Sequence, residues 1–174
     1  MENRYIIIFM NKKLILVAGY VASGKTTFSL NLSRELEIPC FNKDLIKVEL
    51  AKNFDINNRG DSKRLSTATF DLIIHILINF MKVGKPLVLE SNFYPTQSKI
   101  ICQLLEDYAY EALTYLLIGD LKIMHKRFVA RENSQEREQA NKAFGLFDDF
   151  SAFEKAIKPL GDFKAGPRLI SVCP

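Results

Sequence analysis

The sequence has few of the residues that build disulfide frameworks, zinc sites or fibrous chains. Among 174 residues there are only 8 Gly and 6 Pro, which excludes collagen-like and low-complexity classes. Three cysteines, Cys40, Cys102 and Cys173, lie far apart without a CxxC pair, and there are only 2 histidines. A complete disulfide framework and a four-thiolate zinc site are therefore excluded, and we expect reduced thiols in a cytoplasmic protein.

Long apolar runs and strong net charge are also missing. The apolar runs at 5–10 and 72–81 are shorter than the roughly 20 residues that a spanning helix needs, so no membrane partner is expected. The net charge of +4 permits an anionic ligand but does not indicate a protein that coats DNA. We expect residues 1–11 to be a flexible extension, with Met10 as an alternative start, and residues 12–174 to form one domain.

Short β-rich runs alternate with helical periods along the chain, which is typical of a parallel sheet covered by helices. The predicted strands are 13–18, 38–41, 86–90, 111–119 and 168–172. The predicted helices are about 24–37, 43–53, 63–83, one spanning 100–108, one that Asp120 caps and that runs to Arg131, and a Phe-rich one near 146–158. Five strands with helices between them predict an α/β domain.

Two features of the predicted helices indicate core residues rather than ligands. His75 lies in the middle of an apolar helix, where it is expected to be buried in the core. Phenylalanines also recur at helical spacing, which predicts a packed helix rather than a platform for stacking bases; they are Phe144, Phe147, Phe150 and Phe153.

The segment Gly19-Tyr-Val-Ala-Ser-Gly24-Lys25-Thr26 matches G-x-x-x-x-G-K-[ST] in full and lies between a predicted strand and a predicted helix. Its glycines allow the backbone N–H groups to turn inward, and the following helix directs its positive end to the same place. The motif therefore predicts binding of a nucleoside triphosphate. The residues expected to hold it are Gly19, Ala22, Ser23, Gly24, Lys25, Thr26 and Thr27.

The chemistry of the last residues in the motif predicts a magnesium-dependent site. Lys25 supplies a positive charge to the β- and γ-phosphates, and the Thr26 hydroxyl is suited to Mg²⁺ that bridges the same phosphates. Glu90 ends the third strand at the edge of the sheet where α/β proteins bind ligands, so it is expected to hold a water bound to Mg²⁺. An ordinary strand-end acid remains the alternative for Glu90.

Two classes of protein with this loop do not fit the rest of the sequence. A GTPase needs an N-K-x-D motif after a later strand, whereas Asn42-Lys43-Asp44 lacks the spacer and follows the second strand. A motor or AAA-type ATPase ends a strand with an Asp-Glu pair, and here Glu90 stands alone. A small kinase needs only a phosphate loop, a group that positions the acceptor and arginines on a lid.

The chain resembles the small P-loop kinases, in the group of chloramphenicol phosphotransferase, zeta-toxin and polynucleotide kinase. KLILVAGYVASGKTT, FNKDLIK, PLVLESNF and KRFVAREN carry the resemblance, which extends over about residues 12–172. It implies a three-layer αβα fold with a five-stranded parallel sheet in the order 2-3-1-4-5 and a short lid at about 127–142. It also implies ATP and Mg²⁺ as cofactors and a hydroxyl group as phosphoryl acceptor.

The resemblance also suggests roles for individual residues. Asp44 follows the second strand, where this group often places the carboxylate that accepts the proton of the acceptor hydroxyl. The alternative is that Asp44 is only a helix N-cap or an acid of the first helical turn. Ser91 or Asn92 are candidates for contact with the substrate.

Arginines near the lid are the candidates for closing over the phosphates. Arg127 and Arg131 are four residues apart and share a helix face, and Arg137 follows in the polar stretch. Arginine can form two parallel hydrogen bonds to a phosphate, which lysine cannot. A solvated helix with ion pairs to nearby glutamates is the alternative.

The acceptor and the base-binding region are less defined. Arg59, Lys63 and Arg64 border a polar turn where the group builds its acceptor pocket, so they are suited to an anionic acceptor, or the turn is merely solvated. The sequence ends soon after the last predicted strand, so we expect a base site that is open or is built by Arg127 or residues 159–166, or else a chain that has lost catalytic competence. Monomer and homodimer remain equally open.

Three hypotheses about function follow. The first is a Mg²⁺-dependent kinase that transfers the γ-phosphoryl of ATP to a hydroxyl, with a small molecule favoured over a polynucleotide end because no stretch is dense in basic and aromatic residues. The second is a nucleotide-binding regulatory module without transferase activity. The third is a toxin-type kinase that acts on a nucleotide sugar.

Overall fold

The computed structural model describes residues 11–135 and 137–173, with the backbone alone described for 169–173. Residues 1–10, including the alternative start Met10, lie outside the described part. All neighbouring strands of the sheet are parallel, and their order, β2-β3-β1-β4-β5, confirms the prediction. The strands are β1 (Lys13–Gly19), β2 (Cys40–Asn42), β3 (Leu87–Glu90), β4 (Glu111–Gly119) and β5 (Arg168–Cys173).

The helices follow the strands as the periodicity predicted, with different bounds at several ends. They are α1 (Lys25–Leu36), α2 (Lys43–Ala51), α3 (Arg59–Lys82), α4 (Pro95–Asp107), α5 (Leu121–Glu132) and α6 (Phe150–Ile157). Asp120 caps α5 as predicted, because its carboxylate accepts hydrogen bonds from the backbone N–H groups of Lys122 and Ile123 at 2.9 and 3.0 Å.

The two faces of β1 build separate parts of the core, since successive side chains of a strand point to opposite sides. One face packs with α3 and α4 through Leu14, Leu16, Ala18, Ile73, Leu77 and Ile101. The other face packs with α1 through Ile15, Val17, Val88, Phe28, Leu32 and Leu36. Helices therefore cover both sides of the sheet, which confirms the three-layer αβα architecture.

The Phe-rich helix is shorter than predicted, because residues 146–149 form a turn and a bend and the helix begins at Phe150. Phe144 and Gly145, just before this turn, both have positive φ angles, 53° and 76°, which a right-handed helix does not accommodate. Phe144 is 37% exposed, so the expectation that it belongs to the core is wrong. Phe153 is fully buried among α5 and α6, as predicted.

His75 is exposed, so its assignment to the core is also wrong. The buried stripe of α3 follows Ile73, Leu77 and Met81 at four-residue spacing. His75 lies two residues from Ile73 and Leu77, which places it on the opposite side of the helix.

Among the described helices, α3 has the length and composition that would allow it to cross a membrane. Its buried stripe contacts the core on the sheet, through Ile73, Leu77 and Met81. About 33% of its most apolar window is buried within the described structure.

Candidate functional site

The loop between β1 and α1 needs glycine at both of its motif positions. Gly24 caps α1 in the left-handed region, with φ 84°. Gly19 has φ 120°, and a Cβ atom there would lie 1.9 Å from the backbone carbonyl oxygen of Leu117 on β4. Gly19 is therefore required both by its torsion and by the close approach of the neighbouring strand.

Lys25 is held inside this loop. Its side chain is only 7% exposed, and Nζ donates hydrogen bonds to the carbonyl oxygens of Tyr20 at 2.6 Å and Gly19 at 3.3 Å. The Ser23 hydroxyl donates to the same Tyr20 carbonyl at 2.7 Å. The ammonium group is thus positioned at the loop and can exchange these carbonyls for phosphate oxygens.

Glu90 lies at the end of β3, where it meets residues from β2 and α1. It is 4% exposed, and Oε2 accepts hydrogen bonds from the side-chain amide of Asn42 and from Thr26 Oγ1, the latter at 3.4 Å. Burial raises the pKa of Glu90 to about 7, and Asp44 contributes to the rise, whereas Lys25 and the two hydrogen bonds oppose it. A carboxylate this poorly solvated gains from a nearby cation.

Asn42 is a site residue that the sequence analysis missed. Besides its bond to Glu90, its Oδ1 accepts a hydrogen bond from the backbone N–H of Leu45 at 3.1 Å and so caps α2. Asn42 is therefore the N-cap, and Asp44 lies in the first turn of α2. The register of β2 and β3 places Asn42 opposite Glu90, a pairing that no sequence motif indicates.

A cavity of about 280 Å³ opens in front of the phosphate loop. Asp44, Glu90, Asn92, Arg127 and Arg131 line it beside the loop. The structure therefore brings together most of the predicted site residues. The loop residues at its wall are Val21, Ala22, Ser23, Gly24, Lys25, Thr26 and Thr27.

The arginines of α5 and the lid do not all face this cavity. Arg127 and Arg131 line it from one face of α5, as their spacing predicted, and burial, followed by the nearby Arg137, lowers the pKa of Arg131. Arg137 does not line it: Nε donates to Glu132 at 3.3 Å, and Nη2 donates to the Asn141 carbonyl. The contact of Arg137 with the nucleotide stays a prediction, and this geometry does not favour it.

The donor set around Thr26 and Glu90 fits Mg²⁺. Both side chains offer oxygen atoms, the ligand type that this ion prefers, and they converge at the cavity. Among the described residues no cluster of three His, Cys, Asp or Glu side chains forms a complete metal site. This matches the usual mode of Mg²⁺, which is bound by one or two protein groups together with phosphates and water.

A second cavity, of about 450 Å³, adjoins the first and lies between α2, α3, α5, α6 and the lid. Val21, Asp44, Asn92 and Arg131 line both cavities. Asp44 thus lies at the boundary between the two cavities. The Oδ1 atom of Asn92 is buried and has no hydrogen-bond partner among the described residues, so it is available to a ligand.

The second cavity is strongly basic. Among the described residues, its lining includes seven Lys or Arg side chains and one acid, Asp44. Lys43 and Lys47 share one face of α2, and both are buried, at 7% and 6% exposure. The sequence analysis missed this pair, although their four-residue spacing in FNKDLIK was a usable signal.

Of the three basic residues predicted near the acceptor, two line the second cavity and one lies outside it. Arg59 and Lys63 line the second cavity, because α3 begins at Arg59 and places them one turn apart. Arg64 does not line it; its guanidinium forms an ion pair with Asp61 at 2.6 Å. The prediction that all three residues bind the acceptor is thus not supported for Arg64.

The two candidates for the base-binding region also separate. Arg127 lines the first cavity, whereas none of residues 159–166 is among its lining residues. A Cβ atom at Gly161 would lie 2.9 Å from the Tyr20 hydroxyl, so this segment packs against the outer side of the phosphate loop. A role of either candidate in holding the base stays a prediction.

Comparisons with known proteins agree with this architecture. No family model matches the sequence, and no curated protein matches it. A candidate kinase from Chloroflexus aurantiacus has a similar structure, with 23% identity, coverage of 92% of this chain and 87% of that chain, and a TM-score of 0.77. A structure of the PezAT toxin–antitoxin system from Streptococcus pneumoniae has 17% identity, coverage of 98% and 74%, and a TM-score of 0.58.

A third similar structure is a sugar kinase from Janibacter, with 12% identity, coverage of 92% and 85%, and a TM-score of 0.56. At these identities the likeness concerns the fold. The chain has the fold of the small P-loop kinases, as its motifs predicted.

Proposed function

We propose that the protein is an ATP- and Mg²⁺-dependent phosphotransferase that transfers the γ-phosphoryl group of ATP to a hydroxyl of a small molecule. The observation that carries this proposal is the pair of adjoining cavities that share Asp44, Asn92 and Arg131. A donor phosphate at the loop and an acceptor in the second cavity would meet at Asp44. A protein that only binds nucleotide has no need for a second cavity at this position.

Each group at the first cavity has a defined task in this proposal. Backbone N–H groups of the loop and Lys25 bind the β- and γ-phosphates, and Arg127 and Arg131 neutralise charge as the lid closes. Thr26 and Glu90 would hold Mg²⁺, which when bound supplies further positive charge to the same phosphates. These groups lower the barrier by positioning and by electrostatic stabilisation.

Asp44 orients the acceptor and takes its proton. The hydroxyl oxygen bonds to the γ-phosphorus, and the bond from that phosphorus to the β,γ-bridging oxygen breaks, with its electron pair leaving on ADP. The hydroxyl proton passes to the Asp44 carboxylate. Strong basicity is not needed, because the proton becomes acidic only as the new bond forms.

The free thiols of Cys40 and Cys102 are compatible with a cytoplasmic location, which we include in this proposal. The oligomeric state does not enter it, because every group named above comes from one chain.

Transfer of label from γ-labelled ATP to a panel of hydroxyl compounds tests the function. Asp44→Asn should lower kcat about 100- to 1,000-fold, the usual contribution of a positioned general base, while ATP binding changes less than about twofold. Glu49 is an exposed acid further along α2, so Glu49→Gln is the matched control and should leave kcat and ATP binding unchanged. Unchanged turnover in Asp44→Asn, with ATP bound normally, would instead support the regulatory nucleotide-binding module.

A further inference from the structure

The second cavity holds more positive charge than a neutral acceptor requires. Its seven described basic groups come from three separate parts of the chain: Lys43 and Lys47 from α2, Arg59 and Lys63 from α3, and Arg131, Arg137 and Lys142 from the lid at 127–142. Their convergence is a property of the tertiary structure, since they are distant in sequence. Like charges repel one another, so assembling them costs free energy unless an anion occupies the space between them.

Two of these ammonium groups are buried with neutral partners. Lys43 Nζ donates to Ser66 Oγ at 2.5 Å, and Lys47 Nζ donates to Ser62 Oγ at 2.8 Å and to the Ala140 carbonyl at 2.6 Å. Neither forms an ion pair with a described residue. Burial lowers the pKa of Lys47 to about 8; the nearby Asp44 opposes the fall, and the neighbouring cations Lys43, Arg137 and Arg59 add to it. A buried cation without a carboxylate at ion-pair distance is the arrangement that a bound anion would compensate.

Two of the other cations, Arg137 and Arg59, are anchored by hydrogen bonds at the wall of the cavity, although Arg59 and Lys63 remain exposed to solvent. Arg137 is fixed by Glu132 and by the Asn141 carbonyl, and an Arg59 guanidinium nitrogen lies 3.5 Å from the Ala143 carbonyl. Fixed guanidinium groups lose little conformational entropy on binding a phosphate and can donate two bonds to it.

Part of the wall of the second cavity is apolar. Phe128 from α5, Phe147 from the turn before α6 and Ile157 from α6 form this part. A volume of about 450 Å³ lies within the range of small-molecule sites. The cavity therefore suits a compact ligand with a charged end and a less polar end.

We propose that the second cavity binds a phosphate group of the acceptor, so that the substrate is a small hydroxyl compound already carrying a phosphate monoester. This deepens the proposed function and rests on it. The phosphate would lie among Lys43, Lys47 and Arg59, and the hydroxyl to be phosphorylated would reach Asp44. A phosphate dianion is favoured over a single carboxylate because, in the described part of the cavity wall, seven basic side chains stand beside one acid. The hydroxyl oxygen takes the γ-phosphoryl group and Asp44 takes the proton, so the products are ADP and a bisphosphorylated compound.

Binding without turnover tests the subsite independently of catalysis. The full chain is first saturated with Mg²⁺ and a non-hydrolysable ATP analogue, which fills the first cavity. Calorimetric titration then compares inorganic phosphate, ribose 5-phosphate and glucose 6-phosphate with ribose and glucose. We expect the phosphate-bearing probes to bind at least about tenfold more tightly than the neutral sugars, as a charge-assisted hydrogen bond implies.

Matched variants of α3 locate this binding. Arg59→Gln should weaken binding of the phosphate-bearing probes about tenfold, through loss of a charge-assisted hydrogen bond, and Lys142→Gln should act in the same direction. Arg64→Gln removes the same charge five residues further along the helix, outside the cavity, and should have no effect. The subsite is overturned if phosphate and sugar phosphates bind no more tightly than neutral sugars, or if Arg59→Gln and Arg64→Gln behave alike.

Transfer of label from γ-labelled ATP then separates the subsite from the activity. The acceptors are the same sugars and sugar phosphates, a nucleotide diphosphosugar, and an oligoribonucleotide with a 5′-hydroxyl. The proposal expects the highest kcat/KM for a sugar phosphate, with Arg59→Gln raising the acceptor KM and leaving the ATP KM unchanged. A higher kcat/KM for the nucleotide sugar, the oligonucleotide or a neutral sugar overturns it. Tight phosphate binding without transfer to any compound keeps the subsite and overturns the proposed kinase activity.

Discussion

The two adjoining cavities are built in different ways. The first is formed largely by one continuous segment, residues 21–27, whose glycine torsions and helix N-terminus already define an anion site. The second is formed by side chains of α2, α3, the lid and α6, and the lid residue Ala140 meets Lys47 across 93 positions of sequence. A site built from the backbone of one segment can be predicted from a sequence motif. A site built from side chains of several elements can be recognised only once the fold is known.

The two cavities also bury opposite charges. Burial raises the pKa of Glu90 to about 7 in the first cavity and lowers the pKa of Lys47 to about 8 in the second. In both cases desolvation is the largest cause, and it destabilises the charged form. Each cavity therefore contains a group that gains from a ligand of opposite charge, a cation beside Glu90 and an anion beside Lys47.

The largest expected effect is a loss of ATP affinity on substitution of Lys25, and it should be confined to the first cavity. Lys25→Ala should lower ATP affinity about 100-fold or more, because the bonds from this ammonium to phosphate are charge-assisted. Binding of sugar phosphates should change little, since Lys25 does not line the second cavity. Calorimetry of both ligands measures this, with the exposed Lys85→Ala as control. Equal loss of both ligands would show that the two cavities do not act as separate sites.

A smaller effect concerns the stability of the protein without nucleotide or metal. The unfolded chain ionises Glu90 near its ordinary pKa of 4.5, whereas the folded protein retains the proton up to about pH 7. Between pH 4.5 and about 7 the folded state binds more protons at Glu90 than the unfolded chain does. The Glu90 contribution to the free energy of unfolding therefore falls as the pH rises through this range. Above about pH 7 Glu90 is ionised in both states, and the full free-energy cost of burying its charge lowers the stability of the folded protein.

Glu90→Gln should therefore stabilise the protein by up to about 3 kcal/mol at pH 8, since the pKa rises from 4.5 to about 7 and one pKa unit corresponds to about 1.4 kcal/mol. Near pH 4.5 the variant and the natural protein should differ by less than about 0.5 kcal/mol, because Glu90 is then protonated in the folded state and about half protonated in the unfolded chain. Urea unfolding in a chelator at the two pH values measures the difference. A stabilisation that is the same at both pH values would contradict a buried carboxylate with a raised pKa.

The smallest effect should appear in the second cavity, through the lid. Glu132 accepts hydrogen bonds from Arg137 and from the backbone N–H of Ala143, which holds residues 137–143 against α5. Glu132→Gln keeps an acceptor but removes the charge, so it should cost about 1 kcal/mol of local stability. Faster exchange of the Ala143 amide proton and weaker sugar-phosphate binding are expected.

The exposed lid residue Glu138 provides the control for this change. Glu138→Gln should leave both the exchange rate and the binding of sugar phosphates as they are. ATP affinity should be preserved in both variants, because neither glutamate lines the first cavity. A loss of ATP affinity in Glu132→Gln would show that the lid contact supports both cavities.

Much of the fold and of the first cavity was predictable. Strand periodicity, the phosphate-loop motif and the Asp120 cap are local signals, and the structure confirms the strand order and the Asp120 cap. The wrong predictions concern residues whose local sequence pattern disagrees with the backbone torsion or with the side of the helix that packs on the core. Phe144 fits a helical spacing but takes a left-handed torsion, and His75 lies in an apolar helix but on its exposed side.

The sequence by itself determined the parallel αβα arrangement, the phosphate loop and the position of Asp44 and Glu90 at the strand ends, because these depend on residues near one another in the chain. Only the tertiary structure decided that Asn42 meets Glu90, that Arg64 pairs with Asp61 outside the second cavity, and that Lys47 meets the lid. Such contacts depend on strand register, helix rotation and the path of the lid, which result from packing of the whole domain.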